Sequence, residues 1–96
     1  IAARCAALLL LGRFAEAVEA GRSAVAYSLR MPHAHIFYTA ALGQSGDLAA
    51  AKQAAAALLR VQPGYTLRFA MATRGLRNHA MLGRLIEGLR RAGIPE

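Results

Sequence analysis

The chain carries one cysteine, Cys5, in 96 residues. A lone thiol excludes an internal disulfide, and it suits a reducing, cytoplasmic setting. Tryptophan is absent and only three prolines interrupt the chain, so good helix formers, alanine first among them, run nearly from end to end. The longest apolar run, Cys5 to Leu11, falls far short of the ~20 residues a membrane-spanning helix needs, so no membrane partner is expected. The chain opens on Ile1 without an initiator methionine or a targeting segment, and is expected to be a piece of a larger protein. Its far end, Gly93-Ile94-Pro95-Glu96, reads as a natural terminus.

Residues that do chemistry are scarce. His33 and His35 stand two apart, about 200° around a helix, and cannot hold one metal from the same face. No zinc spacing of the CxxC or HExxH kind is present. The expected roles are a surface residue for His33 and a packing residue between helices for His35. Carboxylates number five, and the closest pair, Glu16 and Glu19, falls on the polar side of a helical pattern. Ser23, Ser28 and Ser45 lack a base and an orienting partner, and no glycine spacing forms a phosphate loop. The expectation is a chain without catalysis, metal or cofactor.

What the chain does have is positive charge and a repeat. Lysine and arginine outnumber acids 12 to 5, a formal +7. The excess lies mainly after residue 59, where seven arginines face Glu87 and Glu96. Gly12-Arg13-Phe14-Ala15-Glu16-Ala17 returns as Gly46-Asp47-Leu48-Ala49-Ala50-Ala51, 34 residues on, with glycine, a large apolar residue and alanine in register. Each copy separates two helical runs.

The helices follow from periodicity and punctuation. Residues 2–11 are apolar on nearly every side, which demands cover on more than one face. After the Gly12 turn, Phe14, Ala17, Val18, Gly21, Ala24, Val25 and Leu29 form an inward stripe. This helix should stop near Arg30, because Met31 precedes Pro32. Pro32 suits the first turn of a third helix running to about Gln44. Asp47 should cap a fourth over 48–60, with Leu48, Ala51, Ala55, Leu58 and Leu59 inward, and Gln62-Pro63-Gly64 should end it. A short helix over Tyr65 to Ala72, a break at Thr73-Arg74-Gly75, and an Asn78-capped helix over about 79–92 complete the chain. Met81, Leu82, Leu85, Ile86 and Leu89 share one face of the last, with Glu87 and Arg91 spaced to pair.

The period, the turn glycine and the trailing proline resemble the tetratricopeptide repeat, a helix-turn-helix unit of 34 residues. The first unit matches at Gly12, Phe14, Ala17 and Ala24, the second at Gly46, Leu48, Ala51 and Pro63. It departs at Leu58, where the family has a small residue, at Pro32, three residues late, and at Ile1 and His35, where the family has a large aromatic. The resemblance implies an all-α, right-handed superhelical stack of two helical hairpins over residues 1–64, with a short helix and a C-terminal capping helix over 65–96. The tail, from Gln62-Pro63-Gly64-Tyr65 through Glu87 to Glu96, resembles the C-terminal ends of bacterial regulators that carry such repeats, adenylate-cyclase-like proteins and winged-helix regulators among them. That implies a catalytic or DNA-binding domain upstream.

In the tetratricopeptide family the first helix of each pair lines a concave groove, so the resemblance places a partner-binding groove at Ala2, Ala6, Leu9, Leu10, His33, Ile36, Ala40 and Gln44. Such a groove is apolar, and suits a protein or peptide segment. Stable arrays need three or more units, so a homodimer through residues 2–11 is expected. The alternative is nucleic-acid binding through Arg68, Arg74, Arg77, Arg84, Arg90 and Arg91, with Tyr65 or Phe69 stacking on bases. Against it, those arginines do not share one helix face and no base-reading motif is present.

Overall fold

The structure, a computed structural model, describes residues 2–27, 29–74 and 79–96. Among the described residues it is all-helical: α1 (Ala2–Leu10), α2 (Phe14–Tyr27), α3 (Pro32–Ser45), α4 (Leu48–Val61), α5 (Leu67–Arg74) and α6 (His79–Ala92). Gly75, Arg77 and the cap expected at Asn78 lie outside the described residues, as do the side chains of Ala2, Arg74 and Met81.

The repeated stretch is the turn of each hairpin. Gly12 and Gly46 have φ of 78° and 91°, the left-handed region that an L side chain enters only at a cost. At the first turn the Gly12 N–H donates to Leu9 O (3.1 Å) and the Arg13 N–H to Leu8 O (2.9 Å), which satisfies the carbonyls that end α1. At the second, Asp47 Oδ1 accepts from the Ala50 N–H at 3.2 Å, capping α4 as expected. The alanines in register, Ala17 and Ala51, are both fully buried. Between the hairpins Met31 is extended (φ −83°, ψ 112°), as the clash with the Pro32 ring requires.

Two inward positions differ from the pattern, Leu29 and Leu48, the latter 47% exposed at the first position of α4. Leu29 is 66% exposed because α2 already ends at Tyr27. The Leu29 carbonyl instead lies 2.6 Å from His35 Nε2, whose N–H donates to it. His35 is thereby buried with a partner, the packing role expected of it.

The helix surrounded on nearly every side is α3, not α1. Nine of its residues, from Ala34 to Gly43, are buried, and it packs on α1, α2, α4 and α6. The neighbours α2 and α4 come from the two hairpins; α6 comes from the far end of the chain. Rather than only closing the end of the stack, α6 lies along α3 and also touches α4 and α1. Small residues make this possible. A Cβ on Gly43 would sit 1.9 Å from the Gly88 carbonyl oxygen, and one on Gly88 would sit 2.2 Å from the Ala40 oxygen, so the two backbones touch. Leu85 and Leu89 of α6 fill the core with Leu9, Ile36, Leu58 and Leu67.

The last residues tie the short helix down. At the end of α6 the Gly93 N–H donates to Arg90 O (3.0 Å) and the Ile94 N–H to Leu89 O (3.1 Å), while Gly93 takes φ 99°. Ile94 is buried. Pro95 O and Glu96 O then accept from the Leu67 and Arg68 N–H groups at 2.8 and 3.2 Å, two of the amides that a helix start leaves without internal acceptors. Thr66 Oγ1 accepts a third, from Phe69 N–H, at 3.0 Å.

Candidate docking surface

Several of the residues expected to line an open groove are covered by the chain itself. Leu9, Ile36 and Ala40 are buried, at 0%, 2% and 0% exposure; Ala6, Leu10 and Gln44 are partly buried, and only His33 is exposed. The cover is α6. Its Gly88 lies on Ala40, Gln44 Nε2 donates to Arg84 O at 2.8 Å, and the Arg84 guanidinium donates to Leu10 O and, at 3.4 Å, to Leu9 O. Leu9 and Ala40 thus lie in the core, where an amphipathic helix of the same chain meets their apolar faces, and Ile36 is buried beside the exposed His33. Leu9 itself has no exposed surface to offer a second copy, whereas Arg4, Ala7 and Leu11 beside it are exposed.

Apolar surface is exposed elsewhere. Tyr27 stands out at the end of α2, Leu29 and Met31 from the connection to α3, Phe69 and Met71 from α5, and Leu11 and Leu48 beside the two hairpin turns. Between α3 and α5 runs an open cleft of about 490 Å³. Pro32, His33 and Ile36 form one wall, and Gln62, Tyr65, Phe69 and Thr73 the other. The wall exists because Gly64, at φ 82°, turns the chain after α4 and lets Tyr65 plug the core at 1% exposure. Phe69, one helical turn on, stays 44% exposed, its ring edge-on to Tyr65 with centroids 5.7 Å apart and planes at 73°.

The charge around this cleft is of one sign. No carboxylate lines it, and no Asp or Glu occurs between Asp47 and Glu87. All five carboxylates are engaged locally: Glu16 with Arg13 (2.6 Å), Glu19 with Arg22, Glu87 with Arg90 and Arg91 (3.2 and 3.0 Å), Glu96 with Arg90 (3.4 Å), and Asp47 with the start of α4. Among the described residues Arg30, Arg60 and Arg68 are exposed and make no ion pair. Each stands within two residues of a side chain that lines the cleft.

A second cleft, of about 550 Å³ between α1 and α2, is lined by Arg4, Glu16, Glu19 and Ser23 with two alanines. Its two carboxylates are held by Arg13 and Arg22. Among the described residues no three histidine, cysteine or acidic side chains gather where one metal could bind, and no helix is long and apolar enough to cross a membrane. Cys5 is fully buried, and its thiol donates to Ala17 O at 3.2 Å. Burial pushes its pKa up from 9.0 to about 11, which keeps it protonated and unreactive.

Of the six arginines considered for nucleic acid, those described do not all face the solvent unpaired, and the Arg74 side chain lies outside the described residues. Arg84 turns inward onto α1, Arg90 and Arg91 are paired with acids, and Arg77 lies outside the described residues. Tyr65, considered for stacking, is buried; Phe69 is exposed. No known protein family, curated protein or solved structure matches this chain.

Of the cleft residues, His33 and Ile36 belong to the groove expected from sequence; the others carried only a weak signal. Pro32 and the Gln62-Pro63-Gly64 turn mark chain reversals, and reversals bring distant segments side by side.

Proposed function

We propose that this chain is a protein–protein interaction module, the C-terminal, tetratricopeptide-like part of a larger cytoplasmic bacterial regulatory or signalling protein. It acts by partner binding or self-association and performs no chemistry itself. An upstream domain, adenylate-cyclase-like or DNA-binding, would be what it serves. One observation carries the reading: with the core closed by α6, Tyr27, Leu29, Met31, Phe69 and Met71 remain exposed, and Phe69 lines an open cleft. Large contiguous exposed apolar surface in a folded domain marks an interaction site more often than it marks anything else.

The test is affinity capture from nuclease-treated bacterial lysate, comparing the wild-type chain with a variant in which Leu29, Met31, Phe69 and Met71 are serine. Proteins held by the wild type and lost by the folded variant support the reading. Identical captures refute it. Light scattering over a wide concentration range reads self-association separately, and any dimer should be lost in the same variant.

Nucleic-acid binding is the second reading, favoured by the charge of +7 and the unpaired Arg30, Arg60 and Arg68. Gel retardation with duplex and single-stranded probes at two salt concentrations decides it, because phosphate contacts weaken steeply with salt. No retardation at low salt removes it.

A further inference from the structure

We propose that the cleft between α3 and α5 receives an acidic amphipathic helix of a partner protein. Its bulky apolar side chains would seat against Phe69, and its carboxylates would meet Arg30, Arg60 and Arg68. The inference rests on the interaction-module reading and adds the place and the partner's chemistry.

Three observations fix that chemistry. The cleft is concave, about 490 Å³, a size at which a surface can enclose a few side chains. Its floor and walls are mainly apolar, with Ile36 and Tyr65 beneath and Phe69 at the rim, so the inserted groups must be apolar. Every Asp and Glu side chain is already committed to a neighbour or a cap, whereas Arg30, Arg60 and Arg68, exposed and each within two residues of one that lines the cleft, make no ion pair. The uncompensated charge around the opening is therefore positive, and a matching ligand is negative on the face beside its apolar stripe.

A helix is the form that fits. The described residues contain no strand whose edge could accept an extended peptide, so recognition must come through side chains, and an amphipathic helix delivers anchors at i, i+3, i+4 and i+7 into a groove. Nucleic acid fits less well. Tyr65, which would offer a second stacking face, is buried, and the exposed Phe69 is held edge-on to it.

The test is fluorescence anisotropy with a short labelled peptide that carries leucine and phenylalanine at those spacings and glutamate elsewhere. Controls are a scrambled peptide that loses the stripe and a version with lysine in place of glutamate. The acidic peptide should bind about tenfold or more tighter than either control, given that a central aromatic or charged anchor commonly carries that much. Phe69→Ala should weaken it about tenfold, and so should the double variant Arg30→Glu/Arg68→Glu. The loss in the charge variant should shrink as salt rises, since exposed charges are screened over about 10 Å at 0.1 M. Phe69→Leu, which keeps an apolar side chain on Tyr65, should retain most of the binding and shows that the effect is not unfolding; circular dichroism checks each variant.

Equal binding of the lysine peptide, or indifference to Phe69→Ala, overturns the proposal. So does a single-stranded oligonucleotide that takes the same Phe69-dependent site more tightly than the peptide. If lysate capture returns a partner insensitive to Phe69→Ala, the module reading stands and this assignment falls. If neither experiment detects binding, both fall.

Discussion

Adding one methyl group at Gly88 should destabilise the chain, while adding one at Gly83 in the same helix should stabilise it. In isolation both changes favour α6, because alanine is a better helix former than glycine by about 0.8–1.0 kcal/mol. The surroundings separate them. Nothing lies within 4 Å of a Cβ at Gly83, but a Cβ at Gly88 would fall 2.2 Å from the Ala40 oxygen, where ordinary contact begins at 3.4 Å. The obstacle is backbone in the middle of the most enclosed helix, so α6 must retreat from α3 by more than an ångström. A gap of 0.5–1 Å already forfeits a quarter to a half of each dispersion contact, and Leu85 and Leu89 sit in that interface, 1% and 0% exposed. Overpacking costs about 1–3 kcal/mol, and backbone against backbone belongs at the upper end. Net of the helix gain, Gly88→Ala should lose about 2 kcal/mol. At about 4–8 °C per kcal/mol for a domain of this size, thermal melting followed by circular dichroism should show Tm lower by about 8–16 °C. Gly83→Ala should raise Tm by about 3–8 °C on the same conversion. Gly43→Ala should behave like Gly88→Ala, and the double variant should cost less than the two added, because the first substitution has already opened the contact. Equal Tm shifts at 83 and 88 would refute the backbone contact, and with it the placement of α6.

Three further expectations follow from the same packing. Leu9→Ala should cost about 2–5 kcal/mol, and Leu11→Arg, at a site 65% exposed, should stay within about 0.5 kcal/mol; chemical denaturation with a light-scattering check measures both, and a tolerated Leu9→Arg would mean that Leu9 is not core. Arg84→Met should lose about 1–2 kcal/mol, since it removes charged donors from the Leu9 and Leu10 carbonyls at a partly exposed site where solvent screening trims the effect, and Arg84→Lys should recover part of it. Cys5, with its pKa pushed up to about 11, should react with a thiol reagent at pH 8 only as fast as the chain opens. Because its folded pKa lies above the unfolded one, the stability it contributes is whole below about pH 9 and drains as pH climbs toward 11. That share of the alkaline loss should be absent in Cys5→Ala.

The helices were legible because their ends are written locally. A glycine that must take positive φ, an aspartate that accepts from a free N–H, and a residue forced extended by the proline after it each act within one turn, and Gly12, Asp47 and Met31 do so here. Leu29 shows the limit of such reading. Its spacing continues the buried stripe of α2, yet the same proline that ends the helix releases it two residues early, and the His35 side chain then claims its carbonyl. Periodicity describes a helix only as far as the helix runs.

The candidate site was legible only at His33 and Ile36, which the expected groove included, and Gly43 and Gly88 say why. Each reads alone as a weak point in a helix. Their meaning appears only as a pair, where the missing side chains let two backbones touch, and that contact draws α6 over the residues that the hairpins would otherwise leave open. Charge behaves the same way. Along the chain the basic residues concentrate toward the C-terminus, but in space Arg84 is spent on α1, and Arg90 and Arg91 on Glu87 and Glu96. Those left without ion pairs near the cleft are Arg30, in the connection from α2 to α3, Arg60, at the end of α4, and Arg68, at the start of α5. The surface that a partner meets is thus set less by where charge and apolar residues lie in the chain than by what α6 and the five carboxylates have already consumed.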